Sequence, residues 1–214
     1  MTNNEPKREI ALLWDKDTPF MQHLTDKGFD CELIIPDLLF APFFSFTGYK
    51  LVIVPAGFGN ERYSGMLKGL RANSVRIKDF VKAGGVLLVS GALSNKDAYN
   101  WLPVKIKYVM EKRRVRTEVV KEHKAAAIVE KGECMCDGYF DEAGTEGEVI
   151  LRIKGDKAEK TKAILVVSKY GAGEIIATTI HEYPSERFIA YCVGREQNRS
   201  VIHGFCAGLR KENI

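Results

Sequence analysis

The chain has 214 residues and a mass of 24.0 kDa, enough for a full hydrophobic core and too little for two large domains. Hydrophobic residues make up 45% and charged residues 28%, which excludes a disordered chain, a collagen and a coiled coil. The sequence contains neither the ~20-residue apolar run of a membrane helix nor the apolar core of a secretion signal. We expect a cytoplasmic protein without a membrane segment, a single domain over residues 1–214, and a flexible tail at residues 1–8.

Net charge is +4 and is concentrated in one segment. Residues 101–124 hold eight Lys and Arg against three Glu, whereas residues 132–148 hold six acidic residues and no basic one. A basic strip can attract phosphate groups, but two oppositely charged segments can also face each other within a fold. We do not expect a nucleic-acid partner.

Cysteine usage indicates reduced thiols. Without a secretion signal, an odd and scattered set of cysteines does not predict disulfides. A C-x-C pair lacks the second pair that a zinc site needs, and a His three residues before a Cys on the last predicted helix is equally well explained by core packing. We therefore predict no metal and no cofactor. The residues concerned are Cys31, Cys134, Cys136, Cys192, His203 and Cys206.

Continuous apolar runs alternate with amphipathic helices along the first hundred residues. Apolar runs predict strands at residues 9–14, 29–35, 49–54 and 86–89, with helices at 18–27 and 75–83. Strands that are apolar throughout are typical of a parallel sheet covered on both faces. The sequence therefore predicts an α/β fold of the flavodoxin-like class, in which a doubly wound, mostly parallel sheet is flanked by helices.

The pattern changes after residue 100. Residues 104–110 and 114–120 alternate apolar and basic side chains around a predicted turn near Lys112, which favours a half-exposed antiparallel hairpin. Later strands are predicted at 149–153, 163–168 and 175–180, and a last helix at 185–208. We expect an antiparallel β extension in the middle of the chain.

Three predicted loops lie at the carboxyl edge of the sheet, where ligands bind in doubly wound folds. A strand-to-helix turn with Ser at its tip is the geometry of a nucleophile elbow, in which the next backbone N–H can stabilise an oxyanion. Ser90 is therefore a candidate nucleophile and His181 a candidate base. The backbone amides of Gly57 and Gly91 are candidate oxyanion-binding groups.

Glu182, Glu186 and Trp101 are further candidates near this edge. Glu182 follows His181 directly, so on a strand it points to the opposite face and leaves the orienting carboxylate in doubt. Trp101 either walls a pocket or closes the core. The acidic residues within 136–141 would suit a cationic or polyhydroxy ligand, and a solvated loop explains them as well.

Leu51–Gly59 and Gly84–Ala92 are apolar strands that run into Gly-rich turns, and Tyr170–His181 is a predicted hairpin that ends in His. Together with the strand–helix–strand order before them, they resemble the class I glutamine amidotransferase-like superfamily over nearly the whole chain. The last stretch most resembles its branch of ThuA-like proteins and of amidotransferase-like domains fused to biotin protein ligases. The resemblance implies that His181 is the catalytic His.

The sequence departs from that superfamily at two positions. Its amidotransferases carry Cys at the elbow, where this chain has Ser90, and Glu two residues after the His, where it has Tyr183. Glutamine hydrolysis through a thiolate is therefore not expected. The resemblance also extends to Ser-dependent peptidases such as dipeptidase E and cyanophycinase, which implies a Ser90–His181 pair. A degenerate site, kept only as fold, is the alternative.

Three functions follow from these observations. The first is a protein without amidotransferase activity that binds a small polar ligand, or a protein partner, in the cleft of Gly57, Ser90 and His181. The second is a Ser-dependent hydrolase of an amide or ester that uses Ser90 and His181. The third is a scaffold subunit that docks on an acidic partner through the basic hairpin at 104–120. The sequence leaves open whether the chain forms a homo-oligomer.

Overall fold

The computed structural model describes residues 9–155 and 159–195. The predicted tail at 1–8, His203, Cys206 and the end of the last predicted helix lie outside the described residues. The helices are α1 (Pro19–Asp26), α2 (Pro36–Phe40), α3 (Met66–Ala72), α4 (Ser74–Lys82) and α5 (Glu186–Cys192). The strands are β1 (Ile10–Leu13), β2 (Cys31–Ile34), β3 (Leu51–Val54), β4 (Val86–Val89), β5 (Tyr108–Val119), β6 (Glu133–Asp141), β7 (Glu148–Ile153), β8 (Lys162–Tyr170) and β9 (Gly173–Thr178).

Five strands pair in parallel in the order β2-β1-β3-β4-β9, and we call them the parallel half. Its strands β1 and β3 are four residues long and buried at every position. In β1, Ile10 and Leu12 join one hydrophobic cluster, while Ala11 and Leu13 join a second cluster on the other face. Successive residues of a strand point to opposite faces, so a strand packed on both faces must be apolar at every position.

The remaining four strands are antiparallel and close on themselves. Beyond β9 the sheet continues as β8-β6-β5-β7, and β7 pairs again with β8, so β5 to β8 form a closed barrel that we call the barrel. A barrel has no open edge strands to protect. The predicted hairpin at 104–120 is instead one twelve-residue strand, β5. A register shift between Met110 and Arg113 lies where the turn was predicted, near Lys112.

The flavodoxin-like prediction is wrong, and so is a class I amidotransferase fold as a description of the whole chain. Among the described strands, antiparallel pairings outnumber parallel ones, and the barrel makes up much of the sheet. The helices are short, with nine residues in α4, the longest of them. Residues 90–107 are all described and run from β4 to β5 without a helix. The apolar runs identified strands but could not specify their pairing.

Local signals explain where the helices begin and end. Thr18 precedes Pro19 at the first position of α1, and Gly28 follows its end with φ +76°. In α5, the side chain of Ser185 accepts a hydrogen bond from the Phe188 amide. Within the described ranges, the structure has no helix of the length and apolarity that crossing a membrane requires.

Candidate functional site

A buried acid holds the ring of His181. Asp137 is fully buried on β6, and its Oδ2 lies 2.9 Å from Nδ1 of His181, whose side chain is 45% exposed. An ionised carboxylate can only accept, so Nδ1 donates, and in the neutral ring Nε2 is the nitrogen that carries the lone pair. Because the carboxylate is out of water, its interaction with the imidazole is stronger than that of an exposed pair.

The register of the sheet brings these two side chains together. After β9 the chain stays extended beside β6, since Cys136 pairs with Ile180 and the His181 amide donates to the Met135 carbonyl at 2.9 Å. Met135 therefore lies opposite His181, and Asp137 lies two residues further along the same face. Diagonal neighbours on one face of an antiparallel pair are within reach of long side chains.

The backbone at Gly91 packs against the side chain of Asp137 and covers the carboxylate. A Cβ at Gly91 would lie 3.0 Å from Cβ of Asp137 and 3.4 Å from its Oδ2, so the turn after β4 packs its backbone against the acid. This close approach explains why glycine is present there. A larger residue would push the turn away and admit water to the carboxylate.

Two tyrosines, the buried Tyr99 and the half-buried Tyr108, fix this turn and the acid. The Tyr99 hydroxyl donates to the Ser90 carbonyl at 2.9 Å and accepts from the Ala92 amide at 3.0 Å. The Tyr108 hydroxyl donates to the backbone carbonyl of Asp137 at 2.8 Å. Burial, together with neighbouring negative charge, raises the pKa of Tyr108. Both phenols therefore stay protonated and act as structural hydrogen-bond donors.

The structure does not join Ser90 to His181. Between these two described side chains there is no hydrogen bond. Val89 pairs with Ala177 in the parallel register, so His181, four residues after Ala177, shares the face of Val89 and Gly91. Ser90 follows on the opposite face. An elbow that turned into a helix would have changed this geometry, but no helix follows β4.

One of the two predicted oxyanion-binding amides, that of Gly57, is used within the fold. It donates to the Gly91 carbonyl at 2.8 Å, whereas the amide that Tyr99 holds is that of Ala92 and not the predicted amide of Gly91. Gly57 has φ +95°, a conformation that favours glycine. The strained residue of the turn after β4 is Leu93, with φ +51°, and not Ser90.

Within the described residues, the side chains of Glu182, Glu186 and Trp101 make no hydrogen bond with the His181 side chain. An oxygen of Glu182 accepts from the Met135 amide at 3.2 Å. Glu186 is exposed in the first turn of α5, 3.8 Å from Nζ of Lys27. Trp101 is 2% exposed and closes the core, with its indole N–H donating to the Ala98 carbonyl.

The basic and acidic segments partly face each other. Lys107 pairs with Asp141 at 2.7 Å, and Lys121 pairs with Glu148. Arg113 lies between Glu111 and Glu159. By contrast, three alternate cations of β5 are exposed and make no ion pair within the described residues. They are Lys112, Arg114 and Arg116.

The four described cysteines are free and buried. Burial raises the pKa of Cys31 to about 12, with the carboxylates of Asp30 and Glu32 adding to the shift. The sulfurs of Cys134 and Cys136 lie 3.7 Å apart on the inner face of β6. All four thiols pack in the core. The thiol of Cys31, whose pKa is raised, stays protonated at neutral pH.

A cavity of about 920 Å³ lies at the opposite edge of the sheet. Aromatic side chains and the amino-terminal ends of β3, β4 and β9 line it. Its polar groups bond one another: Lys169 and Tyr191 both donate to Glu174, and Arg76 donates to the Ala41 carbonyl. Because these polar groups already have partners within the fold, we take the site at His181 as the better candidate.

No family model matches the sequence, and no curated protein matches it. A cytoplasmic protein from Salmonella typhimurium has a similar structure at 16% identity, with a TM-score of 0.56 over 87% of this chain and 98% of that one. PurLQS from Thermotoga maritima matches at 14% identity and TM-score 0.53, over 87% and 92%. A β-galactosidase from Bacillus circulans sp. alkalophilus matches at 13% identity and TM-score 0.54, and this chain, 88% covered, spans 30% of it. These likenesses show a shared fold and no shared activity.

Asp137 is the residue that sequence reasoning missed as the partner of His181. It was placed in a segment expected to be a loop, whereas it lies within β6 and is fully buried. Its only local signal is the run of small or buried neighbours, Cys136 and Gly138. The residue that covers it, Gly91, is far away in the sequence, so local patterns could not reveal the burial.

Proposed function

We propose that the protein binds a small polar ligand at the site formed by His181, Asp137 and Gly91. One observation carries this proposal: a fully buried carboxylate orients an imidazole whose side chain is 45% exposed. Burying a carboxylate is costly, and the barrel places it there with a single described hydrogen-bond partner. A purely structural His–Asp pair would not need the ring to remain accessible.

His181 is the ligand-contacting group in this proposal. With Nδ1 donating to Asp137, Nε2 accepts a hydrogen bond or a proton from a ligand hydroxyl, amide or acid group. The nearby carboxylate also stabilises the imidazolium that forms if the proton is transferred. A cytoplasmic location remains part of the same prediction.

The experiment is an NMR titration of the His181 Cε1–H signal with three small probes: ribose, glutamine and glycerol 3-phosphate. We expect a saturable shift with at least one probe. Asp137→Asn should weaken that binding about tenfold, since the amide no longer fixes the tautomer. Asp79→Asn is the matched control, because it makes the same change at an exposed carboxylate on α4, at the opposite edge of the sheet. If none of the probes moves the His181 signal, the proposal is wrong.

One observation favours a second candidate, the Ser-dependent hydrolase. Asp137 supplies the carboxylate that orients the base, which the sequence had left in doubt. The position of Ser90 on the other face counts against it. A hydrolase predicts covalent labelling by a fluorophosphonate that Ser90→Ala removes, and absence of an adduct at millimolar probe would eliminate this candidate.

A further inference from the structure

We infer that the ligand carries a phosphate monoester and that Arg114, assisted by Lys112, binds this phosphate beside His181. The inference rests on the proposed function, because it names the ligand class of the same site. It starts from the three cations of β5 that have no ion-pair partner within the described residues.

The sheet register puts Arg114 and His181 in one row. Arg114 pairs with Met135 across β5 and β6, and Met135 in turn lies opposite His181. Residues directly opposite on neighbouring strands share a face, and two strand spacings amount to about 10 Å between the first and third backbones. The half-buried Met135 side chain forms the floor between the two polar groups.

Lys112 adds a second positive charge to this row. It lies two residues from Arg114 and therefore on the same face, at a spacing of about 7 Å. The register shift of β5 places residues 111 and 112 opposite Asp137 alone. Bulges of this kind re-aim side chains and are frequent beside functional sites.

The charges on this face favour an anion. The Asp137 carboxylate is bonded to His181 and Glu182 bonds the Met135 amide, and neither forms an ion pair with Arg114 within the described residues. Glu133 lies opposite Arg116, two residues along β5 from Arg114. A ligand over Met135 would thus meet one guanidinium, one ammonium and the outer nitrogen of an imidazole.

Phosphate fits these groups better than carboxylate does. An ionised carboxylate that binds a guanidinium through both oxygens has no proton to donate to the lone pair of Nε2. A phosphate monoester has three terminal oxygens, so two can bond Arg114 while the third contacts Nε2. Near neutral pH a fraction carries a P–OH, which can donate to the free lone pair of the imidazole.

The test compares glycerol 3-phosphate with glycerol and glycerate, its neutral and carboxylate counterparts, at constant ionic strength. Binding is followed through the His181 Cε1–H signal. We expect glycerol 3-phosphate to bind at least tenfold more tightly than either counterpart. Arg114→Gln should weaken it about tenfold and Arg114→Lys less, because lysine keeps the charge and loses the fork. Lys68→Gln, a remote exposed cation on α3, is the matched control and should change nothing.

The outcomes separate the two proposals. If ribose or glutamine binds through His181 while Arg114→Gln leaves glycerol 3-phosphate binding unchanged, the phosphate inference is wrong and the proposed function stands. If glycerate binds as tightly as glycerol 3-phosphate, the assignment to phosphate is also wrong. If no probe moves the His181 signal, both proposals are wrong. Thermal unfolding of each variant confirms that the fold is intact.

Discussion

The parallel half and the barrel are built by different sequence rules, and the candidate site lies where they meet. Strands β1 and β3 are four residues long and buried at every position, whereas β5 has twelve residues and alternates exposed with partly buried ones. The parallel half supplies the Gly91 turn and the end of β9. The barrel supplies Asp137 and Arg114. The apolar parallel half therefore serves as a scaffold for polar groups that the barrel, the more hydrophilic part of the same sheet, contributes.

The parallel half and the barrel are expected to unfold together, because they share a core where they meet. Phe140, on β6, is fully buried and lies in the same aromatic cluster as Tyr99 and Tyr108, which connects the barrel with the turn after β4. We expect Phe140→Ala to lower the free energy of unfolding by about 3–5 kcal/mol. Urea denaturation should still show a single transition.

The matched variant in the parallel half is Phe58→Ala, which removes a fully buried ring of the same cluster. A similar loss is expected for it. Two separate transitions in either variant, one for each half, would contradict a shared core.

A smaller effect is expected from the hydroxyl that fixes the turn after β4. Tyr99→Phe leaves the Ser90 carbonyl and the Ala92 amide without this partner in a buried setting. We expect a loss of roughly 1–3 kcal/mol. Tyr63→Phe, at a 60% exposed position, is the control and should be neutral. An equal loss in both variants would show that the hydroxyl does not fix the turn.

The smallest expected effect concerns the junction of β8 and β9, and it depends on pH. Burial raises the pKa of Glu174, but hydrogen bonds from Lys169 and Tyr191 outweigh it and hold the pKa below its ordinary value of 4.5. A depressed folded-state pKa stabilises the protein above the unfolded value, and this contribution is lost as the pH falls through the folded value.

Glu174→Gln should therefore cost roughly 1–2 kcal/mol at pH 7, and the difference from wild type should shrink as the pH falls below 4.5. Chemical denaturation at pH 7 and at pH 3 measures both values. A difference that stays constant or grows in acid would show that the carboxylate is not the stabilising form.

The sequence allowed the parallel half to be recognised strand by strand, and the barrel only in part. Runs such as Leu51–Val54 are apolar at every position, so their burial on both faces could be predicted. The pairing of β5 with both β6 and β7 joins distant segments and depends on register, which alternation does not specify. The bulge opposite Asp137 was interpreted as a turn because Glu111 and Lys112 interrupt the alternation.

The same dependence on strand pairing explains why the site could be predicted only in part. The sequence predicts His181 at the end of a strand, and the structure has it three residues after β9, in a segment that still pairs with β6. Its partner could not be predicted, because the side of the sheet that a residue faces depends on pairing. Ser90 and Gly91 are adjacent in the sequence and on opposite faces, so only Gly91 meets Asp137.

The central claim is that the buried Asp137 orients His181, and the ring nitrogen signals of His181 test it most directly. Long-range ¹H–¹⁵N correlation spectra at a pH where the ring is neutral should show the proton on Nδ1 in the wild type. In Asp137→Asn, the population of this tautomer should fall. A wild-type ring with its proton on Nε2, or a spectrum that Asp137→Asn leaves unchanged, would contradict the account.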